Sequence, residues 1–471
     1  MSSLFTNYFG VQNAKNFEKF VTGIYGNTYI TIGKNTAWPE NDDPPTPTES
    51  ANTFYTYWDN LTGMKKITAA DMQLVIPRVD WDATGQTIYT AYTEDVDLFK
   101  KTDPAQIPYD YKFYVRNSRD QVFKCLANCA IASTTPVRSI IMPEITIGGQ
   151  LPENAFVESS DGYKWKYMYT IPAGLKEKFF TKQYMPVTYD EVVSENAVDG
   201  RIDIYKITKK GSGYNNNITA SALGIATING NGSDARISIR TTASGTTGAN
   251  VTGVNILNSG SGYTKASVVL KDPLKTLLSE PAIIQPVIGP PGGHGSDSAR
   301  ELGACNLMIS VDIEGSEGGV LPLGNPDVHG IRQIGILLDP ILTTLKYASD
   351  TVYRGTTKFT ITNPNIDYLH NQVVYSGKSL ATATFSGIVE HYDSINNHIY
   401  VTGINGKPVP FVTLYGVDPL SGNETGTISS ILAVEQPEVK RYSGKLLYIE
   451  DTSEVQRTID QITRFKFTLR F

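Results

Sequence analysis

After Asp161-Gly162 the chain alternates two kinds of side chain. Tyr163, Trp165, Tyr167 and Tyr169 fall on odd positions, and Lys164, Lys166 and Met168 fall between them. A period of two marks an extended strand, because successive side chains point to opposite faces. A helix would scatter the rings around its circumference. Four large aromatics on one face need a surface to bury them. A sheet core or a subunit interface is the ordinary use, and a sugar platform is the rarer one. The same period returns in Phe113-Tyr114-Val115-Arg116 and Gln121-Val122-Phe123-Lys124. These flank Asn117-Ser118-Arg119-Asp120 as a hairpin loop. It returns again in the closing segment Arg464–Phe471, which reads as a half-buried strand. Composition agrees: 41 Gly, 25 Pro and 27 Tyr against 7 Met favour turns and strands over long helices.

Helical signals are few. Phe17, Phe20, Val21 and Ile24 form one stripe at i, i+3, i+4, i+7, predicting a helix over about 13–25. Phe54, Tyr57, Trp58 and Leu61 predict a second over about 53–66. Between them Trp38-Pro39 and Pro44-Pro45-Thr46-Pro47 keep the chain extended. From about Arg201 to Lys275 aromatics thin out and Gly, Ser, Asn and Thr dominate. Gly211-Ser212-Gly213-Tyr214 is echoed there by Gly260-Ser261-Gly262-Tyr263. Glycine supplies positive φ for a tight turn, and Tyr214 and Tyr263 are expected to anchor each turn in a compact β core. Residues from about Thr351 to Val434 read as a second β module, with hairpin signals at Asn396-Asn397 and Asn405-Gly406.

Functional classes narrow by exclusion. No apolar run approaches the ~18 residues that a membrane span needs, so no membrane is expected. The N-terminal segment lacks the basic start and apolar core of a signal peptide. The net charge is −6 with signs interspersed, which disfavours nucleic acid. Three cysteines imply no disulfide framework, and a reducing compartment is the simpler reading. There is no phosphate-binding loop, nucleophile elbow or HExxH helix. Cys125 and Cys129 read as small buried thiols. The most enzyme-like position is His294 in Gly292-Gly293-His294-Gly295. With no nucleophile or carboxylate partner visible in sequence, it reads as a structural histidine in a tight loop. Asp297 lies close to His294 in sequence but could equally cap the short helix expected near Ser298 to Gly303. No catalytic, cofactor-binding or metal-ligating set is expected.

Several collinear stretches carry a resemblance. They are Asn13-Ala14-Lys15-Asn16-Phe17, Trp38-Pro39, and Val115-Arg116-Asn117-Ser118 leading into Val122-Phe123-Lys124-Cys125-Leu126. Next come Asp161 to Tyr169, Met185-Pro186-Val187, and Gly292 to Asp297 with Glu301-Leu302-Gly303. The last are Arg332-Gln333-Ile334-Gly335-Ile336, Leu447-Tyr448-Ile449-Glu450 and Arg457 with Asp460-Gln461. Together they resemble the baseplate wedge proteins of T-even-like contractile-tailed phages, of the gene product 8 type in its longer myovirus form. The pattern departs at Thr463-Arg464, where the family tends to be acidic.

The resemblance implies a non-enzymatic virion protein of the tail baseplate, assembled in the bacterial cytoplasm. It implies a homodimer that bridges other wedge subunits, with Arg457, Asp460, Gln461 and the aromatic strand as core or interface candidates. The motif blocks and composition shifts together predict a β-rich, multidomain α+β chain. Its composite main domain would comprise 1–200, 276–345 and 440–471. Two all-β modules would be inserted at 201–275 and 346–439, the second barrel-like. A different class stays open at this point: a carbohydrate-binding or carbohydrate-cleaving tail protein, which would need an aromatic-lined cleft and a facing carboxylate pair.

Overall fold

The computed structural model describes residues 6–22, 26–34, 36–92, 112–131, 133–146, 151, 153–214, 226–243, 248–270, 280–315, 317, 329–419, 421–457 and 461–471. The fold is strand-rich, with several sheets, a closed barrel and short helices, as the alternating segments predicted. Two compact units form. The first comprises Met1–Lys15, Gln73–Met308 and Leu469–Phe471, and the second comprises Asn16–Met72 and Ile309–Thr468.

In the first unit the predicted hairpin is part of a four-stranded antiparallel sheet. Its order is Tyr114–Arg116, Gln121–Asn128, Tyr163–Thr170, Phe156–Glu158. The loop closes through Asn117, whose Oδ1 accepts from Arg119 N at 2.9 Å and Gln121 N at 3.0 Å, an Asx turn that adds to the backbone bond from Asn117 N to Gln121 O at 2.9 Å. The region from Ile202 to Ile288 forms three two-stranded antiparallel pairs. Their shared core gathers Ile202, Tyr205, Ile207, Tyr214, Ile239, Val251, Tyr263 and Ile284. Both Gly-Ser-Gly-Tyr copies turn through left-handed glycines, with φ of 63° and 79° at Gly211 and Gly213 and 65° and 71° at Gly260 and Gly262.

In the second unit an antiparallel sheet runs Val352–Arg354, Leu61–Lys66, Thr28–Gly33, His329–Leu338, Lys445–Arg457. Thr28–Gly33 is buried on both faces. The second predicted helix is shorter than its periodicity suggests and covers Ala51–Asn60, with Ser50 Oγ capping Thr53 N at 3.1 Å. Leu61–Lys66 leaves the helix to pair with Thr28–Gly33. Five ladder positions outcompete one more helical turn. The first helix begins earlier than predicted, at Asn7, and runs to Thr22. Its buried residues are Val11, Ala14 and Val21, while Phe20 is exposed, and Ile24 lies outside the described residues. Periodicity located the helix, but its small residues decide which face can approach a neighbour.

The barrel closes through Thr357–Ile361, His398–Gly406, Phe385–Asp393, Val373–Ser376, Thr413–Val417 and Glu424–Glu435. Phe359, Phe385, Val389, Ile399, Val401, Leu414 and Ile431 fill it. Asn396-Asn397 turns the expected hairpin, with Asn397 at φ 52°. Asn405-Gly406 does not. It ends a strand opposite Phe385 and Ser386, and a Cβ at Gly406 would lie 2.3 Å from Thr384 O. Here close backbone approach, not a hairpin, selects glycine.

Candidate functional site

His294 is held by charged side chains that sequence reading did not pair with it. Lys124 comes from the strand Gln121–Asn128, and Glu301 from the short helix Ser298–Leu302. Asp297 caps that helix by accepting from Arg300 N at 3.0 Å, and Gly303 ends it in the left-handed region. The Gly-Gly-His-Gly loop brings the imidazole inward. Gly293 has φ 88°, and a Cβ there would stand 2.5 Å from Val198 O; at Gly295, with φ 94°, it would stand 2.6 Å from Val193 Cγ1. Both positions therefore exclude side chains by conformation and by space.

The three groups are enclosed. Lys124 is 0% exposed, Glu301 2% and His294 8%. Lys124 Nζ lies 2.9 Å from His294 Nδ1 and forms an ion pair with Glu301 Oε2. An ammonium has no acceptor, so Nδ1 must accept, which puts the proton of the neutral ring on Nε2. Glu301 Oε1 accepts from Gly295 N at 2.7 Å, so the carboxylate also shapes the loop. Tyr92 covers the ammonium, with Nζ 4.2 Å from its ring centroid. Lys166 stands directly across the sheet from Lys124 and donates to Asn154 O at 2.6 Å.

Electrostatics follow from burial and from Lys124. Burial and the adjacent Lys124 cation push His294 down to about 4. Burial alone would raise Glu301, but the Lys124 ammonium, aided by His294, holds it down to about 2. Burial, then repulsion from Lys124, lowers Lys166 to about 8. The chemistry is that of a closed latch: a neutral imidazole beside a satisfied ion pair, with little access for a substrate.

Acid should release the latch. Between the ordinary histidine value of about 6.5 and pH 4, the unfolded chain binds a proton at His294 that the folded chain refuses. The contribution of His294 to stability therefore falls as pH drops, with a slope of up to about 1.4 kcal/mol per pH unit. Below about 4.5, Glu301 adds a second loss of the same sign. In urea unfolding at pH 7, 6, 5 and 4 the difference between wild type and His294→Asn is expected to carry this slope, because buried Glu390, pushed up to about 8, adds a slope of opposite sign to both proteins. An unchanged slope in that variant would place the titration elsewhere.

The remaining candidates are placed as follows. Tyr163, Trp165, Tyr167 and Tyr169 are all buried. Tyr163 stacks on Trp165 with centroids 5.2 Å apart, and Phe123 packs on Tyr167 at 5.6 Å. The opposite face is buried too, at Lys166 and Met168. Arg457 lies opposite His329 in the backbone ladder, and its side chain lies outside the described residues, as does Asp460. Gln461 is exposed, and its carbonyl accepts from Gly315 N at 3.4 Å. Arg464, where the family pattern is departed from, pairs with Asp312 through Nε at 2.6 Å and Nη2 at 2.8 Å. A groove of about 960 Å³ runs past Phe156, Glu158, Lys164, Arg201, Asp203 and Leu257. Its two carboxylates are engaged, Glu158 by Lys164 at 2.9 Å and Asp203 by Arg201 at 2.6 Å. Among the described residues no group of His, Cys, Asp and Glu is arranged to hold a metal ion.

Lys124 was within reach of the sequence. Lys124 interrupts the apolar run Val122-Phe123-Lys124-Cys125-Leu126, and a charge inside a buried strand requires a counter-charge. Nothing in the spacing names Glu301 as that partner.

No family model matches the chain. It is similar to the Baseplate wedge protein gp8 of Enterobacteria phage T4, at 26% identity over 221 residues. That stretch covers 41% of this chain and 63% of the length of that relative. This likeness supports a distant relationship of the chain to that baseplate wedge protein.

Proposed function

We propose that the chain is a structural component of a contractile-tail baseplate wedge, a homodimer that bridges other wedge subunits. It would be assembled in the bacterial cytoplasm and act in the virion. The likeness to gp8 carries this reading. The latch supports it, because a histidine with an acceptor nitrogen tied to a buried lysine serves a fold better than a reaction. The groove supports it as well, since its carboxylates are bound to cations and are not poised as the facing pair a glycosidase needs. Sedimentation of the purified chain is expected to give a dimer at micromolar concentration, without ligand or metal. A monomer there, or hydrolysis of polysaccharide abolished by His294→Ala, would overturn the reading.

The proposed domain plan keeps a composite main domain with inserted modules at 201–275 and 346–439. Chain continuity supports removing the first module with its flanking strands, because Gly289 N donates to Arg201 O at 2.9 Å where the chain goes in and comes out. Joining ends that already touch costs little closure entropy. Replacing 202–288 by a short Gly/Ser linker is expected to leave the remainder folded, with amide protection retained on Gln121–Asn128 and Tyr163–Thr170. Loss of that protection would show that the module belongs to the main core.

A further inference from the structure

Charge is unevenly placed along the chain. Residues 201–275 carry nine Lys and Arg against three Asp, although the whole chain has a net charge of −6. Three of these cations stand together beside the groove of the first unit. Tyr205 and Ile207 enter the core, so Lys206 between them faces outward, where it lines the groove. Ile237 and Ile239 enter the same core, so Arg236 and Arg240 face outward as well. Arg236 lies across from Asn258, a groove residue, and Arg240 lies across from Gly253. A Cβ at Gly253 would stand 3.1 Å from Arg240 Nε, so the glycine lets the guanidinium lie along the neighbouring strand. Lys206, Arg236 and Arg240 are exposed, and none makes an ion pair among the described residues. The acids beside them do not balance them. Glu158 and Asp203 are taken by Lys164 and Arg201, which leaves exposed Asp234, just before Arg236, against three cations.

The second unit holds the complement. From Pro39 to Glu49 the chain carries Glu40, Asp42, Asp43 and Glu49 and no Lys or Arg. All four acids are exposed, and none pairs with a cation among the described residues. Pro39, Pro44, Pro45 and Pro47 keep this arm out of helix and sheet. Its two ends are fixed: Trp38 Nε1 donates to Thr452 O at 3.0 Å, and Ser50 caps the helix Ala51–Asn60. Anchored ends and prolines lower the ordering cost of docking. Complementary charges left unpaired within one chain can be satisfied between two. We propose that the acidic arm 39–49 of one copy docks along the groove of a second copy, where Lys206, Arg236 and Arg240 receive its carboxylates. The contact is made twice about a twofold axis, arm to groove and groove to arm, and so closes at a dimer. Because arm and groove differ in sign, the axis brings opposite charges together. The inference rests on the homodimer reading above and supplies its contact surface.

The test is sedimentation equilibrium on the full chain and two charge-reversed variants. The groove variant, Lys206→Glu with Arg236→Glu and Arg240→Glu, is expected to weaken the dimer by about 30-fold or more, because its groove repels the arm. The arm variant, Glu40→Lys with Asp42→Lys and Asp43→Lys, should weaken it by a similar factor. Mixed in equal amounts, the two variants should recover a dimer within about threefold of the wild-type affinity, since each groove then meets an arm of opposite charge. Recovery on mixing separates lost docking from lost fold. Added salt should weaken the wild-type dimer. A wild-type dimer that both variants leave intact overturns this contact and leaves the homodimer reading standing. Weakened variants that do not recover on mixing also overturn the contact. A monomeric wild-type chain removes both readings.

Discussion

Replacing Lys124 by methionine is expected to destabilise the protein by about 3–5 kcal/mol, because it strands the buried Glu301 carboxylate without its cation. The carboxylate would keep its bonds from Gly295 N and Asp297 N, but two amides on one oxygen do not replace an ammonium at full burial. Lys166 should respond as well. Its lowering to about 8 owes part to repulsion from Lys124, so in Lys124→Met it should titrate higher. The double variant Lys124→Met with Glu301→Gln removes the charge and keeps an acceptor for Gly295, so most of the loss should return. Urea unfolding at pH 7 measures both variants, and its pH dependence from 7 to 10 follows the Lys166 shift. A loss below about 1 kcal/mol for the single variant would mean that water or Lys166 already serves Glu301.

Tyr263→Ala should cost about 3–5 kcal/mol, the range for emptying a buried aromatic site. The ring is enclosed by glycines that leave it no slack: a Cβ at Gly232 would stand 2.4 Å from Tyr263 Cγ, and one at Gly230 would stand 2.8 Å from Cδ1. Its backbone is pinned as well, with Tyr263 N donating to Gly200 O at 3.1 Å and Gly262 N to Asp199 O at 2.9 Å. Neighbouring strands therefore cannot collapse into the space without breaking these turns. Tyr263→Phe should cost little, because the hydroxyl has only a long contact to Ala235 N at 3.4 Å. Hydrogen exchange should show the alanine variant's loss concentrated between Ile202 and Ile288. Protection equal to wild type in that span would show that the ring is not an anchor.

Local pattern and tertiary arrangement contributed differently along the chain. The strands around Tyr163 and Gln121 were legible, because a period of two has no other stable reading once one face is apolar. The short helix after Asp297 was legible for a local reason, since a cap acts on backbone groups within one turn, but sequence left Asp297 open and the left-handed stop at Gly303 came from the structure. The end of the second helix was not. Residues 61–66 suit either state, and the choice fell to the partner strand Thr28–Gly33. Asn405-Gly406 carries a hairpin signal, yet the chain there continues beside Phe385. A turn signal reports what the backbone tolerates, not what it must do.

The candidate site divides along the same line. Residue types alone determined that 292–295 is a glycine-supported loop carrying one histidine, and that this histidine had no local catalytic partner. They also placed Lys124 in a strand beside the Asn117–Asp120 hairpin. That Lys124, His294 and Glu301 meet was decided by the tertiary structure alone. The lysine lies 170 residues before the histidine and 177 before the glutamate. Short-range periodicity cannot encode a meeting across such separations. It arises because a charge buried in a strand finds its lowest free energy against the one carboxylate that the folded loop delivers to it.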